Sequence, residues 1–319
     1  MIFTASQFKN EVDVLEIRLE TIGHMVDAVV LAEATVDQRG RPKDLIFPQH
    51  RERFKKWEHK IRYIPVEDMP TGDTHMYDVA RERWQRDALI RGMPELQPED
   101  LVYVSDLDEI PYPEALEDGL RNPGLRFGMD LHVLALNWRW LDRGCRIGTL
   151  GAVLTGESIL SQGVCGAVLW DSSVRQRSGV SGWHLTYQGG VEAIRSKITG
   201  MMDKAENLVY QVDVPTILTD EWISNCISTG QDVFGRVYRN TEWVGLDQLP
   251  PCVQDNPQRY IHMMVPRPEN QDEVESSPRC SCGAIFQDGV LNHFPYCQLV
   301  GQAGTLVYQE DHRDRPRAS

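Results

Sequence analysis

Leu101-Val102-Tyr103-Val104-Ser105-Asp106-Leu107-Asp108-Glu109-Ile110-Pro111 is an apolar run that ends in acid. Its first four residues predict a short buried strand, and the carboxylates begin where that strand stops. The segments upstream tell how such a strand is housed. Residues 10–23 predict a helix, with Asn10 as N-cap and Val12, Leu15, Leu19 and Ile22 on one face. Val26 to Ala34 (VDAVVLAEA) and residues 60–66 (KIRYIPV) predict two further strands, and residues 75–92 a helix stopped by Gly92 and Pro94. Strands alternating with helices specify an α/β fold with a mainly parallel sheet covered on both faces. Ligands of such sheets bind outside the carboxyl ends of the strands. Glu33 and the 106–109 cluster both fall at such ends.

The chain has 319 residues, 41% of them hydrophobic, enough for one large α/β domain with a sizeable core. A formal net charge of -14 opposes nucleic-acid binding, which needs a basic stripe against phosphates. It leaves room for a phosphate-bearing small molecule whose charge a divalent cation offsets locally. No stretch approaches the roughly 20 apolar residues of a membrane helix. The N-terminus has no basic segment followed by an apolar run, so no membrane span is expected and the expected compartment is the cytoplasm.

Farther along, residues 126–190 are rich in Trp, Gly and short β-like runs, and helical patterns return at 190–202 and 219–229. The expected organisation is a main domain over 1–265, an acidic linker over 266–279, a Cys/His module over 280–297 and a polar tail over 298–319. Of seven cysteines, Cys145, Cys165, Cys226 and Cys252 are scattered, as reduced thiols are. Cys280, Cys282, His293 and Cys297 form a C-x-C…H-x3-C pattern that predicts a closed tetrahedral structural zinc site. So short a segment has little core, and the metal would supply its folding energy.

Asp106 and Asp108 form a D-x-D. Two carboxylates at a strand terminus can turn to one ligand, and their hard oxygens suit Mn²⁺ or Mg²⁺ carrying substrate phosphates. A metal there stabilises the charge that develops on a departing diphosphate. Several blocks resemble glycosyltransferase family 17, whose best-known members add a bisecting β-1,4-linked N-acetylglucosamine to N-glycans. They are FKNEVDVLEIRLETIGHMVDAVVLAEA (8–34), GRPKDLIFPQHRERFKKWEHKIRYI (40–64), ERWQRDALIRG (82–92), SDLDEIPYPEAL (105–116), SGWHLTYQGGVEAIRSKI (181–198) and GQDVFGRV (230–237). The resemblance spans about residues 8–265 and implies a GT-A-type nucleotide-sugar-binding fold, a UDP-sugar donor such as UDP-N-acetylglucosamine, a divalent metal, inversion at the anomeric carbon and a glycan or glycoconjugate acceptor. Two alternatives stand beside it: a phosphatase or phosphotransferase built on the same D-x-D, and a catalytically inactive sugar-binding protein.

The resemblance sets Asp106 and Asp108 at the metal, with Asp106 also near the donor ribose, and His184 of Gly182-Trp183-His184 as a third ligand. A lone His beside Trp also reads as a core residue. Glu109 either orients the metal ligands or caps the next helix. Glu33 at its strand end, with Arg86 and Asp87 before the acid strand, are expected at the donor, although Arg86 reads equally as the partner of a surface carboxylate. An inverting transfer needs a base within reach of the acceptor hydroxyl. Glu157 and then Asp171 are the candidates, and Glu157 reads as well as a helix-start acid stabilising the dipole. Trp138 and Trp140, alternating about Arg139, form either an acceptor-stacking platform or part of the core.

Overall fold

The computed structural model describes residues 1–72, 75–141, 149–169, 171–200, 218–234, 241–268, 286–287 and 290–291. The chain divides into two compact units, Met1–Arg267 and Pro268–Ser319. In the second unit, strands Phe286–Gln287 and Val290–Leu291 pair antiparallel. The expected zinc ligands Cys280, Cys282, His293 and Cys297 lie outside the described residues.

The first unit opens with strand β1 (Ile2–Phe8), helix α1 (Val12–Ile22), β2 (Ala28–Ala34), the short α2 (Phe47–His50), β3 (Ile61–Val66), α3 (His75–Asp87) and β4 (Leu101–Val104). β5 (Glu109–Pro111), α4 (Pro113–Arg121), β6 (Leu125–Val133), β7 (Trp138–Trp140), β8 (Ala152–Thr155), α5 (Gly156–Leu169), β9 (Arg175–Thr186) and α6 (Gly190–Gly200) follow, then a helix at Asp220–Thr229 and strand β10 (Thr241–Trp243). Together they form a mixed ten-stranded sheet. Its central block, β4-β1-β2-β3, is parallel, and β8, β6, β7 and β10 continue it antiparallel. The mainly parallel expectation thus holds for the block that bears the acid turn and for β9, which pairs parallel with β6, while β8, β7 and β10 pair antiparallel.

β1, the strand between β4 and β2, is absent from the sequence expectation. MIFTASQF interleaves Thr4, Ser6 and Gln7 with its apolar residues, so it reads neither as an apolar run nor as a clean alternation. Thr4 and Ser6 are nevertheless buried, because the strand is covered on both faces. The helix expected over 10–23 starts at Val12, and Asn10 offers its carbonyl to Val12 N–H rather than a side-chain cap. The helix expected over 75–92 is α-helical to Asp87 and tightens into a 3₁₀ turn over Ala88–Gly92. Among the described residues no helix is long and apolar enough to cross a membrane.

Candidate active site

Because β1, β2 and β4 are parallel, their carboxyl ends lie on one side of the sheet, and a cleft of about 320 Å³ opens there. Gln7, Phe8 and Lys9 enter it from the end of β1, Val36 to Gln38 from beyond β2, and Asp106 to Asp108 from beyond β4. Glu82 and Gln85 of α3, His184 and Thr186 of β9, and Lys197 of α6 complete the wall. This is where an open α/β sheet binds ligands.

The acid turn is fixed from below by a residue that the sequence reading passed over. Arg18 of α1 is fully buried. Its Nη1 donates to the carbonyls of Asp106 (3.2 Å), Leu107 (3.2 Å) and Glu109 (2.9 Å), and its Nη2 to Thr4 Oγ1 (2.7 Å) and Ser105 Oγ (2.9 Å). A guanidinium spread over three carbonyls sets the path of the turn and places a positive charge beneath two carboxylates. Glu109 is the second tie. One of its oxygens accepts from Asp106 N at 3.2 Å and the other from Leu150 N at 2.8 Å. Burial, followed by the Asp106 charge, pushes the Glu109 carboxyl up to about 7. Glu109 thus ties the backbone of the turn, and the next helix starts beyond it with Tyr112 at its N-cap.

Each D-x-D carboxylate has its own cation. Asp106, 41% exposed, accepts from Arg86 Nη2 at 3.0 Å through Oδ1. Asp108, 7% exposed, accepts from Lys197 Nζ at 2.9 Å through Oδ2, and His184 Nε2 stands 3.5 Å from its Oδ1. Burial opposes the Asp108 charge, yet Lys197 and His184 outweigh it and hold the carboxyl well below its usual range. Burial likewise opposes the His184 charge, and Asp108 more than compensates, raising the imidazole. β5 brings His184 there by pairing antiparallel with β9, Glu109 opposite His184 and Pro111 opposite Gly182. A Cβ at Gly182 would lie 2.2 Å from Ile110 O, so only glycine lets the two strands meet.

The remaining expected site residues are placed otherwise. Glu33 is fully buried and accepts from Lys43 Nζ (2.8 Å), Ile46 N (2.7 Å), Phe47 N (3.1 Å) and Tyr63 OH (2.9 Å). Its oxygens are committed to the loop before α2, which leaves none for a donor. Arg86 reaches the cleft indirectly, by holding Asp106. Asp87 turns to α5 and accepts from Cys165 N at 2.8 Å, beside the kink where Gly163 has φ +75°. Trp138 is buried and donates to Ile227 O at 2.7 Å, and Trp140 packs on the same apolar cluster with Ile194, Ile198 and Phe234. The tryptophan pair is core rather than a stacking platform.

Both candidate bases also lie away from the cleft. Thr155 of β8 pairs with Leu101, the amino end of β4, and Glu157 N donates to Pro98 O at 3.0 Å. Glu157 is thus exposed at the end of the sheet opposite Asp106. Asp171 accepts from Ser158 Oγ (2.7 Å), Ser173 N (2.9 Å) and Ser173 Oγ (2.7 Å), so it caps the turn after α5.

Among the described residues, no three Asp, Glu, His or Cys side chains converge as ligands of one metal ion. The donor types suit Mn²⁺ or Mg²⁺, but the arrangement does not fit one. Lys197 holds one oxygen of Asp108, and Arg86 holds one oxygen of Asp106.

Residues 1–133 match the family model of glycosyltransferase family 17. The β-1,4-mannosyl-glycoprotein 4-β-N-acetylglucosaminyltransferases of Rattus norvegicus and Homo sapiens are each 27% identical to this chain over 168 residues, 48% of this chain and 31% of theirs. The Mus musculus protein of the same name is 26% identical over the same span. The match therefore covers about a third of the length of these curated relatives. The matched segment holds Arg18, Arg86, Asp106, Asp108 and Glu109, the residues that build and brace the acid turn, and over this segment the chain is similar to glycosyltransferase family 17.

Proposed function

We propose that this protein is an inverting glycosyltransferase on a GT-A-type fold, moving N-acetylglucosamine from UDP-N-acetylglucosamine to a glycan or glycoconjugate. The observation that carries the reading is the braced D-x-D turn at the carboxyl end of β4, which opens on the cleft and lies within the family-matched residues 1–133. The donor sugar is taken from the relatives' names.

The chain's own residues supply the chemistry as follows. The open oxygen of Asp106 accepts from a donor hydroxyl, and Arg86 keeps that carboxylate aimed. Charge that develops on the departing diphosphate meets cations already fixed at the cleft wall, which act without reorganising. The acceptor hydroxyl attacks the anomeric carbon from the face opposite the leaving group. Its proton passes to a cleft carboxylate, to be sought among Glu11, Asp37 and Glu82, which line the wall. A second cavity of about 150 Å³ shares Glu11, Tyr187 and Lys197 with the first and offers room for the acceptor. A divalent ion at Asp106, Asp108 and His184 has no step in this mechanism, since the arrangement does not fit one.

Incubation with UDP-N-acetylglucosamine and an oligosaccharide panel is expected to release UDP and yield a β-linked product by NMR. An α-linked product would overturn the inverting mechanism, and absence of UDP release with any nucleotide sugar would overturn the reading itself.

A further inference from the structure

Three elements meet at the Nζ of Lys197. α6 carries it, the acid turn presents Asp108 Oδ2 at 2.9 Å, and Glu11 Oε1 stands at 4.0 Å. The Tyr187 ring centroid lies 5.4 Å away. The side chain is 18% exposed and lines both cavities. Its neighbours on the helix, Ile194 and Ile198, are fully buried, so an apolar residue would satisfy the packing at lower desolvation cost. An ammonium has three donors, and Asp108 is its one hydrogen-bond acceptor among the described residues.

We infer that Lys197 is the cation this cleft offers to the donor's diphosphate, standing where a D-x-D site otherwise places a divalent ion. The inference rests on the nucleotide-sugar reading above. Asp108 holds the ammonium at the wall before any ligand arrives, which makes it a preorganised charge rather than one recruited from solvent. Of the other two lysines of the cleft, Lys43 is committed to Glu33 at 2.8 Å and Asp44 O at 3.1 Å, and Lys9 Nζ donates to Ser196 O at 3.3 Å, with no carboxylate hydrogen bond to fix its position among the described residues. Asp106 is already offset by Arg86. A metal ion at Asp108 would first have to displace the ammonium, whereas a diphosphate approaching from the cleft meets its remaining donors directly. Lysine binds phosphate as a point charge, so no bidentate geometry is required.

Titration calorimetry of the full chain with UDP, in EDTA and again in Mn²⁺, tests this. The expected affinities in the two buffers agree within about threefold, and Lys197→Met weakens UDP by roughly tenfold or more in both, the loss of a charge-assisted contact. Lys197→Arg, which keeps the charge, is expected to retain most of the binding, and melting curves check the fold of both variants. UDP binding that appears only with Mn²⁺, or a folded Lys197→Met that binds like the parent, overturns the inference and leaves the nucleotide-sugar reading standing. Failure of the parent protein to bind UDP in either buffer overturns that reading and the inference with it. If Lys197→Met does not fold, the EDTA titration of the parent decides alone.

Discussion

Strand β4 has acidic groups beyond both of its ends, and they are neutralised in different ways. Near the Leu101 end, buried Asp100 is met by the Met1 ammonium and by Gln97 N, Asp171 is satisfied by hydroxyl and amide donors of Ser158 and Ser173, and Glu157 faces solvent. Beyond the Val104 end, Asp106 and Asp108 are met by charges from three separate helices: Arg18 of α1, Arg86 of α3 and Lys197 of α6. Lys197 and Asp108 are 89 residues apart in the chain. The contrast teaches that an acid at a strand or helix terminus does not by itself mark a site. What marks it is several side-chain cations converging at the rim of a cavity. Hydroxyl and amide donors finish the Asp171 turn and the chain-end ammonium ties Asp100 to β1, while side-chain cations from separate helices converge on Asp106 and Asp108 at the edge of a cavity.

The largest effect is expected where the contrast is sharpest, under the acid turn. Arg18→Met would leave three buried carbonyls without their donor, a loss of about 3–5 kcal/mol of stability typical of breaking a buried charged network. Melting temperature measures it, and sugar transfer is expected to fall with it. A melting temperature equal to the parent's would mean that the turn holds its shape without the guanidinium.

Asp108→Asn is expected next. It keeps the size of the side chain but releases Lys197, so turnover should fall by about 10²–10³-fold, as when one preorganised electrostatic group is lost. Steady-state UDP release measures this, and a rate within tenfold of the parent would remove Asp108 from the site.

The smallest effects belong to the other end of the strand. Glu157→Gln and Asp171→Asn should each leave turnover within about twofold, well short of the 10²–10⁴-fold loss of a general base. Asp171 should instead show itself in acid. Hydrogen bonds from Ser173 and Ser158 lower its carboxyl to about 2. A folded value below the unfolded one of about 3.9 stabilises the protein above that pH, and the benefit disappears as pH falls through the folded value. The stability gap between parent and Asp171→Asn should therefore be widest above about pH 4 and close toward pH 2 in urea titrations. A gap that stays constant over that range would exclude ionisation as its source.

The two ends also differed in how far they could be read in advance. The D-x-D was legible because LVYV is short, apolar and followed at once by acid, a local pattern. His184 was legible only through its family-like block, since the pairing of β5 with β9 that delivers it is long-range. Arg18 and Lys197 were missed although each left a trace. Arg18 interrupts the stripe Leu15, Leu19, Ile22 at the i+3 position, and Lys197 sits three residues after buried Ile194 and directly before buried Ile198. A lone cation on an apolar helix face is costly to bury, and that cost is the signal. Glu33, Asp87, Glu157 and Asp171 misled for the converse reason. Their positions suit a site, but hydrogen bonds within the fold or exposure to solvent decide their roles, and neither shows in a pattern of residue types.

The glycine at the crossing of β5 and β9 also bears on the order in which the protein is made. Asp106, Asp108 and Arg18 are all synthesised well before Gly182, and the parallel block β4-β1-β2-β3 uses only residues that precede position 105. Strand β9 and helix α6 follow much later, and closing so long a loop is entropically costly and slow relative to local contacts. A nascent chain therefore has its acid turn, with Asp108 lacking both Lys197 and His184, for as long as the ribosome takes to deliver β9 and α6, and the constellation is completed by long-range contacts rather than by local ones.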